Sequence, residues 1–143
     1  CTSLQRVVLI DLPKLESIGD HFASSSGLTT LEISGLSGLR IIGKWVLGYC
    51  RSLCRLVLAK LPKLETIGEV FAEGCSSLEL VRFAELPQLT TIGERFLEDC
   101  PSLKSLHLVS LPQLQSMPDG FSRANFPMLC DFVLENVPNI PAF

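Results

Sequence analysis

Six cysteines and two histidines are the residues of this 143-residue chain whose types could carry redox, metal or nucleophilic chemistry. Cys1, Cys50, Cys75 and Cys100 each stand three residues ahead of a leucine, at Leu4, Leu53, Leu78 and Leu103. Six cysteines in an extracellular chain would suggest a disulfide framework. A regular recurrence argues otherwise. Equivalent side chains on stacked strands point in parallel about 4.8 Å apart, whereas a disulfide needs converging Cβ atoms about 3.5 to 4.5 Å apart. The column therefore reads as buried free thiols packing as small hydrophobes. Ser25 and Phe126 fill the equivalent slots, which argues against a ligand set. Cys54 and Cys130 each follow such a leucine, three repeats apart, or roughly 15 Å along a stack of strands. Cys50 and Cys54 do not make a CxxC, and no histidine stands near them to complete a zinc site. His21 and His107 lack a serine, cysteine or carboxylate at catalytic spacing, and the chain has no GxGxxG, P-loop or HExxH. The expectation is a non-enzyme with no metal and no cofactor.

Composition narrows the class further. Twelve Lys and Arg against fifteen Asp and Glu give a formal net charge of -3, and 47% of residues are hydrophobic. Disorder and a polybasic nucleic-acid binder are thereby poor fits. No apolar run approaches the roughly 18 to 20 residues that span a bilayer, so no membrane insertion is expected. Asn125, Asn136 and Asn139 are not followed by the residues of a glycosylation sequon. Together with free thiols this leans towards an intracellular location.

A regular leucine repeat must position these residues. The leucines at Leu4, Leu28, Leu53, Leu78, Leu103 and Leu129 recur with spacings of 24, 25, 25, 25 and 26. With that leucine as position 1, the third unit is apolar at Leu53, Leu56, Leu58, Leu61, Leu64, Ile67 and Phe71, and the fourth at Leu78, Val81, Phe83, Leu86, Leu89, Ile92 and Phe96. Positions 4 and 6 are two apart and share one face of a short strand. Leu-Pro follows at Leu12-Pro13, Leu61-Pro62, Leu86-Pro87 and Leu111-Pro112. Proline lacks the N–H a ladder needs, so the strand is expected to stop there. Ile-Gly comes next, at Ile18-Gly19, Ile42-Gly43, Ile67-Gly68 and Ile92-Gly93. Glycine there reads as a turn residue. The stretch from Glu69 to Gly74 has room for a short helix with Phe71 inward and Gly74 as its stop. One unit cannot bury its leucines alone, so the units must stack around a continuous core as one domain over residues 1–143.

The pattern LxxLxLxxLPxLxxIG resembles the leucine-rich repeat. That resemblance implies an α/β, right-handed solenoid with a parallel β-sheet on its concave face and short helices or turns on its convex face. The asparagine usual at position 9 is replaced by Leu12, Leu36, Leu61, Leu86, Leu111 and Val137, so no asparagine ladder ties the turns. Residues Ile67 to Leu78 are similar to the IGxxAFxxCxxL phrase of BspA-like repeats, which would admit a cell-surface location. The position-12 spacing resembles cysteine-containing repeats, and Pro101-Ser102-Leu103 resembles plant immune-receptor repeats as a second choice.

Positions 3, 5 and 7 of each strand face away from the core and can carry recognition. The middle of that face, around Val57, Ala59, Leu80, Ala84 and Val109, is apolar and rimmed by Arg55, Arg82 and His107. An apolar centre with an arginine rim suits a protein surface. Arg55, Val57, Leu80, Arg82 and His107 are accordingly the candidate contacts for a protein partner. Nucleic acid would ask for clustered basic residues with stacking rings, which this face does not offer. A structural spacer is the competing role. Trp45 and Tyr49 fall on the convex side, where Trp45 is expected to pack between neighbouring short helices, with anchoring of a second contact as the alternative. The chain starts and ends within its repeat pattern, at Cys1 and Phe143, so further repeats or flanking domains are expected at both ends.

Overall fold

The computed structural model describes residues 4–138, and the expectations for Cys1, Asn139 and Phe143 lie outside them. Alternating apolar residues make the main strands, β1 (Arg6–Ile10), β3 (Thr30–Ser34), β5 (Arg55–Ala59), β7 (Leu80–Ala84), β9 (Ser105–Val109) and β10 (Asp131–Glu135). They form one six-stranded sheet in the order β1-β3-β5-β7-β9-β10, every pair parallel. Two-residue strands β2 (Ser17–Ile18), β4 (Ile41–Ile42), β6 (Thr66–Ile67) and β8 (Thr91–Ile92) build a second parallel sheet from the Ile-Gly segments. The register is one repeat per rung. Leu31 pairs with Leu56, Leu56 with Val81, and Val81 with Leu106, so each core position becomes a column.

These columns are the hydrophobic core. Leu56, Leu58, Leu61, Leu64, Ile67 and Phe71 of the third unit are fully buried, as are Val81, Phe83, Leu86 and Leu89 of the fourth. Each such side chain is worth about 1.5 to 3 kcal/mol when removed from water. Phe71, Phe83 and Phe96 add ring contacts, with centroids 5.6 to 6.2 Å apart. Leu4 and Leu12 of the first unit remain exposed, because no described turn covers that side of them, and Ile10 is exposed because it points outward from the sheet.

Three expectations need correction. The segments expected as short helices are not helical: the fold is a β-solenoid, and its one helix among the described residues is a 3-10 turn at Arg123–Asn125. In the first four returning segments alternate residues adopt positive φ, such as Trp45, Leu47 and Tyr49, or Val70, Ala72 and Gly74. A helix cannot form through alternating left-handed residues, and the N–H groups of Trp45, Leu47, Tyr49, Val70, Ala72 and Gly74 bond to neighbouring turns instead. The strands, secondly, are not ended by proline alone. β3 stops at Ser34 although Ser37 stands where proline would be, and the shared device is a positive-φ residue just after each main strand: Asp11, Gly35, Lys60, Glu85, Ser110 and Asn136. The Ile-Gly glycines, finally, do not have positive φ. They are small because turns meet there: a Cβ on Gly68 would lie 2.6 Å from the carbonyl carbon and oxygen of Gly43.

No helix among the described residues is long and apolar enough to cross a membrane.

Candidate functional site

The outward face of the six-stranded sheet carries four of the five proposed contacts within reach of solvent. Arg55 and Arg82 are exposed, and Leu80 and His107 are half-buried. Register places Arg55 beside Leu80 and Arg82 between Val57 and His107, with neighbouring strands about 4.8 Å apart. Val57 departs from the expectation. It points outward yet is only 6% exposed, because Glu32 and Arg82 occupy the same row on the strands either side of it. It can support a contact surface but offers little area to a partner.

Neither Arg55 nor Arg82 has an ion-pair partner among the described residues. Their charge is available to a ligand. His107 is engaged, with Nε2 2.7 Å from Asp131 Oδ2, and this hydrogen bond holds the Asp131 carboxyl below the usual carboxylate range. Ser105 lies beside Asp131 in register, so the residue types of a hydrolytic triad stand close together. The arrangement differs from a triad, in which the imidazole lies between hydroxyl and carboxylate. Here the carboxylate holds the His107 nitrogen, and no Ser105–His107 hydrogen bond exists among the described residues.

The cysteine column also has a definite geometry. Cys50, Cys75 and Cys100 are buried free thiols, and each donates to a carbonyl of the preceding turn, at Ala23 (2.9 Å), Leu47 (3.2 Å) and Ala72 (3.1 Å). At Cys50 and Cys75, thiol neighbours and burial resist ionisation. The Cys75 thiol is pushed up to about 12, first through the neighbouring Cys100 and then through burial, while the bond from Cys50 acts the other way. Cys50 is raised further, by Cys75 and by burial. Since the thiolate is the reactive form, iodoacetamide at pH 8 is expected to alkylate exposed Cys54 and Cys130 in the native protein. Cys50, Cys75 and Cys100, closed off from the reagent by burial, should react only after denaturation, as peptide mass spectrometry would read. Among the described residues no group of three or more His, Cys, Asp or Glu could hold a metal ion.

A cavity of about 710 Å³ opens beside the returning segments of the third and fourth turns. Sequence reasoning missed it. Its walls include Tyr49, Arg51, Arg95, Phe96, Asp99, Asp119 and Phe121. Next to it lies Glu73, a carboxylate only 1% exposed. Arg95 Nη2 donates to Glu73 Oε1 at 2.6 Å, the Tyr49 hydroxyl lies 3.4 Å from the same oxygen, and Oε2 has no partner. Arg95 also donates to Glu98 at 3.2 Å. Glu98 and then Glu73 raise the guanidinium above its ordinary value. Upstream of the cavity, Trp45 stacks between His21 and Tyr49, at centroid separations of 6.0 and 6.1 Å. Trp45 thus packs between His21 of the preceding turn and Tyr49 of its own segment, not between short helices, and it stays half-buried on the surface.

No curated protein and no solved structure matches the chain. The family model described as the BspA type leucine rich repeat region does match, in six copies over residues 1–119. Stacked parallel strands, leucine columns and a cysteine column are the physical content of that match, and the chain belongs to the BspA-type leucine-rich repeat family.

Proposed function

We propose that this chain is a non-enzymatic module that binds a protein through the outward face of its six-stranded sheet, with Arg55, Leu80, Arg82 and His107 as contacts. Leucine-rich repeat families commonly serve protein–protein interaction. The observation that carries the choice of face is the pair of exposed arginines without ion-pair partners among the described residues, set in register beside half-buried Leu80 and the supporting Val57. Charged groups steer association and fix register, while apolar neighbours supply the area removed from water. An acidic patch with an apolar centre is the surface that would complement it.

Affinity capture from the native source, with mass spectrometry, tests this using the wild type and an Arg55→Glu, Arg82→Glu variant checked by circular dichroism. Both side chains are exposed, so the variant should fold. A partner captured by the wild type and lost from the variant supports the proposal. Equal capture by both would move binding to another surface, and no capture by either would favour the spacer role.

A further inference from the structure

Hydrogen bonds between successive returning segments repeat in a fixed order. The first amide of each segment donates to the next turn, from His21 to Lys44 (2.8 Å), Trp45 to Glu69 (3.0 Å) and Val70 to Glu94 (2.7 Å). Four residues on, Ser25 donates to Gly48 (2.8 Å), Tyr49 to Glu73 (2.7 Å) and Gly74 to Glu98 (2.8 Å). Between these donors the carbonyls of Phe22, Val46 and Phe71 accept from Leu47, Ala72 and Leu97 of the following turn, at 3.0 to 3.1 Å. Every turn therefore presents the next with donor, acceptor, donor.

At the fourth turn the same three groups are the Arg95 N–H, the Phe96 carbonyl and the Asp99 N–H. Among the described residues none of them has a hydrogen-bond partner. The cause lies in the glycine column. Gly43, Gly68 and Gly93 each donate to the isoleucine carbonyl of the preceding turn at 2.8 Å, and close backbone contact there leaves no space for a Cβ. Pro118 stands in that column in the fifth unit. It has neither the N–H nor the room, so the fifth returning segment leaves the stack. The cavity of about 710 Å³ occupies the gap, lined by Arg95, Phe96 and Asp99 on one side and Pro118, Asp119 and Phe121 on the other.

We propose that this gap is a docking site for an extended peptide segment of a partner protein that carries a lysine or arginine. The segment adds to the fourth turn as its missing rung, its carbonyls accepting from Arg95 and Asp99 and an N–H between them donating to Phe96. Addition of a strand to an exposed backbone edge is an established mode of peptide recognition. Besides Arg95, the lining carries one further cation, Arg51, against the two carboxylates of Asp99 and Asp119, and this acidic excess selects a basic side chain. Arg95 is already committed to Glu73 and Glu98, whereas Asp99 and Asp119 pair with no cation among the described residues. Phe96 and Phe121, 5.9 Å apart, offer a wall for the aliphatic stem.

The test is selection of phage-displayed random decapeptides on the whole chain, followed by measurement with the enriched peptides made synthetically. The expected peptides share a basic residue. They slow hydrogen exchange at the Arg95 and Asp99 amides, and lose affinity about 10-fold on an Asp99→Asn, Asp119→Asn variant. Asparagine tolerates the positive φ of residue 99, and an Arg55→Glu, Arg82→Glu protein should bind them unchanged. Enrichment of no peptide would overturn the proposal. So would peptides that leave both amides exchanging as before, or that bind equally well without a basic residue.

Discussion

Replacement of Phe83 by alanine is expected to cost about 3 to 5 kcal/mol, the range for removing a buried phenylalanine. The ring is fully buried. It meets Phe71 edge-on at 6.2 Å and Phe96 at 5.6 Å, so its loss opens a cavity between two turns. Backbone hydrogen bonds on both sides hold β7 at its spacing, which limits collapse into the space. Guanidinium unfolding followed by circular dichroism reads the effect as a large fall in midpoint. Leu134→Ala is the contrast: that leucine is 39% exposed, and its loss should cost a fraction as much. Equal shifts for the two variants would mean that the phenylalanine column does not anchor the middle of the solenoid.

Gly68→Val should destabilise by about 1 to 3 kcal/mol or more, as overpacking does where nothing can yield. The new Cβ would meet Gly43 carbon and oxygen at 2.6 Å and the Lys44 nitrogen at 2.8 Å. All three atoms are backbone, and one of the turns must move. Gly19→Ala is the control, because nothing lies within 4 Å of its Cβ position, and a change within about 0.5 kcal/mol is expected. Thermal unfolding of the two variants separates a steric requirement for glycine from a conformational one. A conformational requirement predicts similar losses at both positions.

That distinction marks where the sequence was legible. Leu56 and Leu58, two apart, placed a strand and its buried face correctly, because alternation is a local signal that the parallel register then repeats. The returning segments were not legible in the same way. Phe71 between polar neighbours fits one turn of helix as well as it fits the observed ladder. What decides is hydrogen bonding to turns about 25 residues away, which keeps Trp45, Leu47 and Val70 at positive φ against their local preference. The glycine column was visible, but its reason, contact between stacked backbones, belongs to the assembled solenoid.

The site divides along the same line. The outward orientation of Arg55, Leu80, Arg82 and His107 follows from strand period alone. The low exposure of Val57 does not, since it depends on which long side chains flank it in register. Its role shifts from contact to support. The cavity beside Glu73 had a sequence signal in Met117-Pro118, which replaces Ile-Gly in the fifth unit and breaks the glycine column.

Site-specific photo-crosslinking addresses the choice of face most directly. Benzoylphenylalanine would replace Leu80 on the outward sheet face in one protein and exposed Lys63, in the turn after β5, in another. Each would be irradiated with the partner captured by the wild type. The account predicts a covalent adduct from position 80 and none from position 63. An adduct from position 63 with none from position 80 would contradict it.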